Sequence, residues 1–159
     1  MHMHTPQSTP HVIPPAATPK RVYQSGTFST QRDRAAHLQL LSMLRTAGHT
    51  VAWAPELCSA RELDAAGIDG VHGLIFGRVR KALDDAEVMV VLLDCIRFDD
   101  GTPWEMGYAA ARGIPVYALT TDTVRVECDM VLSLGNILQG STITATSHTM
   151  PDLLALLHD

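Results

Sequence analysis

The run Val88-Met89-Val90-Val91-Leu92-Leu93 contains no polar residue, and a strand that is apolar at every position has to be covered on both faces. A hairpin strand with one wet face would alternate. The run therefore predicts a central strand of a parallel sheet, in a fold whose helices lie on both sides. Asp94 ends it. The segment that follows, Asp99-Asp100-Gly101-Thr102-Pro103-Trp104-Glu105-Met106-Gly107-Tyr108, brings a carboxylate onto a helix just past the strand end, with Asp94, Asp99 and Asp100 in the loop between. Open α/β sheets bind their ligands at the carboxyl ends of their strands. Thr102 followed by Pro103 reads as N-cap and first helical residue, which puts Glu105 in the positive field of the helix start. Thr102 to Glu105 also fits a capping box, in which Glu105 merely returns a hydrogen bond to the cap amide. A cap has no need of the three aspartates beside it.

The rest of the chain alternates strand and helix. Arg21 to Ser25 is expected as a strand, and Gly26 to Thr30 as the turn and cap of a helix with apolar positions Ala36, Leu40, Leu41, Leu44 and Ala47. Gly48 closes that helix, Thr50 to Trp53 is a second strand, and Glu56 to Gly73 reads as a long loop with at most one short helix. A helix over Val71 to Ala86, the strand Glu87 to Leu93, a helix over Pro103 to Arg112 and a strand over Pro115 to Thr120 follow. Beyond them come a helix near Arg125 to Leu134, a weak strand near Thr142 to Ala145 and a terminal helix over Pro151 to His158. Such alternation predicts right-handed crossovers and a single Rossmann/flavodoxin-like α/β domain, with a central parallel sheet of about five strands and helices on both faces. Its boundaries are residues 21–159, after a disordered tail over 1–20. Met1 to Pro19 holds five prolines, three histidines and no charged side chain, so it forms neither a signal-peptide core nor a targeting helix.

Composition narrows the partners. A net charge of −5 over 159 residues argues against a nucleic-acid backbone, and the basic cluster Arg78, Arg80, Lys81 is too short for an electrostatic footprint. No stretch reaches the roughly 18 apolar residues of a membrane span. Cys58, Cys95 and Cys128 are odd in number and lack CxxC spacing, which fits a reducing compartment and neither a disulfide framework nor a zinc site. His2 and His4 have no partners at ligand spacing, so no metal is expected. The first strand-to-helix turn, Gln24-Ser25-Gly26-Thr27-Phe28, lacks the GxGxxG spacing, which excludes a dinucleotide coenzyme as well as a P-loop. The chain reads as a soluble cytoplasmic protein for small-molecule ligands.

Val22-Tyr23, the strand entry Ala86-Glu87-Val88-Met89-Val90, Asp99 with Gly101-Thr102-Pro103-Trp104-Glu105-Met106-Gly107-Tyr108-Ala109, and Gly113-Ile114-Pro115-Val116 together resemble the nucleoside 2-deoxyribosyltransferases. The similarity covers most of residues 21 to 134, and Asp-x-Gly-Thr-x-x-Glu-x-Gly-Tyr is its specific part. The resemblance implies exchange of 2-deoxyribose between a 2′-deoxynucleoside and a free nucleobase without a cofactor, in nucleoside salvage. It makes Glu105 the nucleophile, Asp99 part of the sugar and base site, and Tyr23 the neighbour of the nucleophile. It also implies a homo-oligomer, in which Met130 reaches the site of the adjoining subunit.

The chemistry suits these residue types. A carboxylate attacks the anomeric carbon through an oxocarbenium-like transition state, an acid protonates the leaving base, and a second displacement restores configuration. Glu105 is the candidate attacking group, Tyr23 the group that holds it, and Asp99, its pKa raised by burial and neighbouring carboxylates, the proton shuttle, with Asp100 competing. Asp94, Asp100 and Gly26 line the expected pocket, and Phe28 and Trp104 are candidates for stacking on a base. Two positions depart from the family. Cys128 replaces its usual asparagine, leaving Asp129 or Asn136 to hold the 5′-hydroxyl, and Val79 replaces an aspartate that helps protonate the base. Proton transfer then falls on Asp99 and Asp100, or on Asp84 or Asp85 by a register shift, or the reaction differs. Arg78 and Arg80 flank Val79 and suit a 5′-phosphate, which keeps open an N-glycosidase of deoxynucleoside monophosphates. A non-catalytic nucleotide-sensing module is the remaining alternative.

Overall fold

The structure, a computed structural model, describes residues 13, 15–16, 18–93, 101–121 and 142–158. Strands β1 (Arg21–Gly26), β2 (Thr50–Trp53), β3 (Val88–Leu92), β4 (Val116–Leu119) and β5 (Ala145–Ser147) form one sheet in the order β2-β1-β3-β4-β5. Every neighbouring pair is parallel. The apolar run therefore lies where its composition requires, in the middle strand with all five residues buried. The order is the flavodoxin-like one, in which successive crossovers leave β1 in opposite directions.

Helix α1 (Gln31–Thr46) joins β1 to β2 and packs Leu40, Leu41 and Leu44 on one face of the sheet, against Val22, Val88, Val90 and Leu92. Its start is fixed by a capping box. Thr30 Oγ1 accepts from the Asp33 amide and Asp33 Oδ2 accepts from the Thr30 amide, both at 3.1 Å, a device that contributes about 1 kcal/mol. The last helix, α4 (Met150–Leu156), covers the same face with Leu153 and Leu154, and Leu157 follows it into the core. Each of these fully buried leucines contributes about 1.5–3 kcal/mol by leaving water. The opposite face carries Tyr23, Met89 and Val91 under α2 (Ala60–Asp85) and α3 (Gly101–Ala111), whose Val79, Leu83, Met106 and Ala109 complete the second core.

Three expectations need correction. The stretch from Glu56 to Gly73 is not a loop: a one-turn 3-10 helix (Ala54–Glu56) leads into α2, which starts at residue 60 and bends at Gly67 (φ 66°, ψ −179°). Ser59 and Glu62 cap it reciprocally. Its first half shows no apolar stripe because it buries almost nothing; among its residues only Val79 and Leu83 are buried, and Ile68 is 91% exposed. Helix α3 already includes Gly101 and Thr102, so Thr102 is not its N-cap. The final strand falls at residues 145–147, later than the expected 142–145.

Two residues of the expected tail lie against the domain. Ile13 packs on the α1 face, and the Ala16 amide donates to the Ala47 carbonyl at 2.8 Å. The expected helix near residues 125–134, together with Cys95 and Cys128, lies outside the described residues. Among the described residues no helix is long and apolar enough to cross a membrane.

Gly26 ends β1 at φ 136°, and a Cβ added there would sit 2.6 Å from the Leu92 carbonyl oxygen and 2.9 Å from His37 Cε1. Gly48 also has positive φ, at 100°, but open space around it. Replacing each by alanine separates backbone strain from close approach. Gly26→Ala is expected to lower the unfolding free energy by about 3 kcal/mol or more and Gly48→Ala by about 1–2 kcal/mol, read from urea midpoints. Equal losses would show that the β1–β3 contact contributes nothing at Gly26.

Candidate active site

β1 and β3 run in register, with Ser25 opposite Val91 and Gly26 opposite Leu92, so their carboxyl ends open together at the point where the crossovers diverge. Side chains two apart on a strand share a face. Tyr23 and Ser25 therefore both project toward α3. Glu105, in the second turn of that helix, meets them: the Tyr23 hydroxyl donates to Glu105 Oε1 at 2.9 Å, and the Ser25 hydroxyl donates to Glu105 Oε2.

This arrangement changes the expected role of the helix start. Because α3 begins no later than Gly101, no acidic residue falls in the first described turn, and the dipole field fades beyond the first turn. The two hydroxyls do what the helix end was expected to do. Hydrogen bonds from two donors favour the ionised carboxylate and fix its plane. Tyr23 itself is fully buried, and burial, then the charge of Glu105 and the bond to it, push the phenol far above its ordinary value. It stays protonated at any working pH. It is a fixed donor and no proton shuttle.

Behind the β1–α1 turn, on the other face, lies a second polar group that composition alone did not single out. Gln24 is fully buried and its side-chain amide nitrogen donates to the His37 carbonyl at 2.9 Å and to His37 Nδ1 at 3.1 Å. Since Nδ1 accepts, Nε2 carries the proton, and it donates to the Thr27 carbonyl at 3.1 Å. His37 thus ties α1 to the turn that follows Gly26. Its ring stacks on Trp53 at 5.6 Å, and Phe28 meets both rings edge-on at 6.4 and 6.0 Å.

The candidate residues divide accordingly. Glu105, Tyr23 and Gly26 converge on the carboxyl ends of β1 and β3. Phe28 sits over the α1 face, while Trp104 stacks on Tyr108 at 5.2 Å and leans on Phe76 at 5.0 Å over the α2 face. The two rings are not brought together to sandwich a base, although each is about 40% exposed, Phe28 at 41% and Trp104 at 40%. Asp94, Asp99, Asp100, Asp129, Met130, Cys128 and Asn136 lie outside the described residues. Val79 is buried in the core with Tyr23 and Met106. Asp84 accepts from the Tyr108 hydroxyl at 2.8 Å and pairs with Arg112 at 3.3 Å, and Asp85 pairs with Lys81 at 2.7 Å near the start of β1. Arg78 pairs with Glu62 at 2.5 Å, beside a cavity of about 330 Å³ along the β2 edge. Asp84, Asp85 and Arg78 are thus each bonded to a partner other than Glu105. Ser25 was missed: a strand serine carries no motif, and only its place two residues after Tyr23 points to it.

A model of the nucleoside 2-deoxyribosyltransferase family matches residues 22–150 of the chain. Among solved structures, a 2-deoxyribosyltransferase from the psychrotolerant bacterium Bacillus psychrosaccharolyticus is 19% identical, with a TM-score of 0.65 over 83% of this chain and 88% of that one. A conserved protein from Enterococcus faecalis V583 is 23% identical, with a TM-score of 0.53 over 86% of each chain. At these identities the likeness is one of fold. No curated protein matches the sequence significantly.

His37 gives the turn a pH signature. Burial lowers its pKa, against smaller upward pulls from the Thr27 carbonyl and the charge of Asp33. A histidine held neutral contributes its full stability above the unfolded value of about 6.5, and loses it as pH falls through that value. His49, buried and accepting at Nδ1 from the Lys20 amide, is lowered by burial and then by the charges of His158 and Lys20, and acts in the same sense. The urea midpoint is expected to fall between about pH 7.5 and pH 5, with the His37 imidazole titrating below 6.5 by NMR. A midpoint that rises on acidification would contradict histidines held neutral in the folded protein.

Proposed function

The chain belongs to the nucleoside 2-deoxyribosyltransferase family, and from that premise we propose that it moves 2-deoxyribose from one nucleobase to another through a covalent bond between the sugar and Glu105. The observation that carries this proposal is the carboxylate of Glu105, set at the carboxyl ends of β1 and β3 with each oxygen held by a hydroxyl of β1. A capping glutamate has no use for such a cradle. An attacking carboxylate needs it, because rate depends on holding the oxygen in line with the anomeric carbon.

The steps follow from the chemistry of the groups. A lone pair of Glu105 forms the bond to C1′ as the glycosidic bond breaks and its electron pair leaves with the base. Asp99, with Asp100 as the competing candidate, supplies the proton that the base takes. The sugar lacks a 2′-hydroxyl, so positive character builds at C1′ without an electron-withdrawing neighbour, and one well-aimed carboxylate suffices. An incoming base then attacks C1′ from the face the first base left, restoring configuration. Gly26, Asp94, Asp129 and Met130 are the proposed substrate contacts, Met130 across an interface between copies of the chain, and Phe28 and Trp104 each offer one exposed ring face on its own side of the sheet rather than a sandwich. The proposed setting is nucleoside salvage in the cytoplasm. Arg78, one of the two arginines that suggested a 5′-phosphate, is paired with Glu62, and release of base from a monophosphate is the outcome that would favour the N-glycosidase.

Two measurements test this. Incubation with a 2′-deoxynucleoside and a different free base is expected to give the exchanged nucleoside, and intact-protein mass spectrometry to find one deoxyribosyl group on a peptide containing Glu105. Base release from a nucleotide with no acceptor, and none from nucleosides, would assign the chain to the hydrolases instead. Glu105→Ala is expected to reduce exchange by about a thousandfold or more, as loss of a covalent nucleophile does. Tyr23→Phe keeps the ring in the core and removes one charge-assisted bond, with an expected loss of about tenfold to a hundredfold in kcat.

A further inference from the structure

We propose that Ser25 governs the release of the sugar from Glu105, so that the second hydroxyl on the carboxylate sets how much of the protein rests as the covalent intermediate. This rests on the transferase chemistry above and extends it to a residue that neither the family's motif nor the spacing of carboxylates points to.

One donor is enough to aim a carboxylate that is already carried on a helix, and Tyr23 supplies it at 2.9 Å. Ser25 adds a second donor on the other oxygen, from the same face of the same strand and itself 4% exposed. Its energetic effect differs between the two half-reactions. In the free enzyme Glu105 is charged and both hydroxyls bond to it strongly. When an oxygen of Glu105 bonds to C1′ and the glycosidic pair departs with the base, the carboxylate becomes a neutral ester and these bonds weaken. In the second half-reaction the nitrogen lone pair of the incoming base forms the new bond, the C1′–O bond breaks, its electron pair returns to the carboxylate, and the base gives up its proton to the carboxylate, Asp99 or Asp100, that protonated the first base. Charge reappears on the oxygens in that transition state. A donor waiting there stabilises it.

Ser25 thus opposes accumulation of the ester and favours its breakdown. A hydrogen bond to a charged group shifts such a balance by about tenfold to a hundredfold. Without it the leaving carboxylate is poorer, and the protein collects in the covalent state. Serine in place of alanine at this strand position is then a setting for turnover, and removing the hydroxyl leaves Glu105 with the Tyr23 bond on its other oxygen.

The test compares the unsubstituted protein with Ser25→Ala and Ser25→Thr, the latter keeping the hydroxyl. Each is mixed with a 2′-deoxynucleoside and an acceptor base, quenched at steady state and weighed intact. For Ser25→Ala the adduct fraction is expected to rise, with kcat for exchange and the KM for the donor falling together by about tenfold or more. Ser25→Thr is expected to restore both. An adduct fraction in Ser25→Ala at or below that of the unsubstituted protein overturns the role of Ser25 while leaving the transferase intact. Absence of exchange in the unsubstituted protein, or an adduct on a residue other than Glu105, overturns the transferase and the role of Ser25 together.

Discussion

A carboxylate drawn half out of water at the edge of a packed sheet costs about 1–3 kcal/mol for each hydrogen bond it fails to make. Glu105 meets that demand with two hydroxyls of β1, Tyr23 on one oxygen and Ser25 on the other. The rest of the site is arranged around this requirement. β1 must stand between β2 and β3 for its side chains to reach α3, the chain must turn sharply at Gly26 to leave the carboxyl edge clear, and the turn must then be held. His37 holds it, through Thr27 on one nitrogen and Gln24 on the other. Strand order, glycine and buried imidazole thus serve one carboxylate.

Sequence pattern was informative where a segment's environment is uniform. β3 is buried on both faces and reads as an unbroken apolar run; α1 packs one stripe on the sheet and reads at helical spacing, with Thr30 and Gly48 near its ends. The same logic explains the failure at residues 56–73. The first half of α2 packs on little and carries Gly67, Gly70 and Gly73, so neither periodicity nor propensity marks it as helix, and only the Ser59–Glu62 cap gives a local sign. The start of α3 was misplaced for another reason. Thr-Pro is a strong cap and first-turn signal, but proline is tolerated anywhere in the first turn, and here it stands third in the described helix.

In the site, Glu105 and Tyr23 were legible through a short motif and the resemblance it carries, whereas their partners were not. Ser25 lies 80 positions from Glu105 and Gln24 lies 13 from His37; pairs like these are joined by topology, which a linear pattern does not contain. The aromatic candidates show the converse. Phe28 and Trp104 both neighbour the site in sequence, yet each ring is taken up by partners on its own side of the sheet. Nearness in sequence to a functional residue fixes a backbone position and leaves the ring free to pack elsewhere.

One feature of the sequence did contain the site, though not as a motif. Strands in the middle of a parallel sheet are apolar on both faces, and β3 obeys this rule. β1 is also an interior strand, buried from Val22 to Gly26, but it reads Val-Tyr-Gln-Ser-Gly. Every polar residue in it breaks the local rule, and each break has a use: Tyr23 and Ser25 face Glu105, and Gln24 faces His37. The departure is not free of cost, since Gln24 Oε1 and the neighbouring Trp53 Nε1 are buried with no hydrogen-bond partner among the described residues. A chain selected only for stability would fill β1 with valine. That it carries buried hydroxyls and an amide instead, at the one strand where the crossovers part, is what distinguishes a sheet that cradles a carboxylate from a sheet that merely packs.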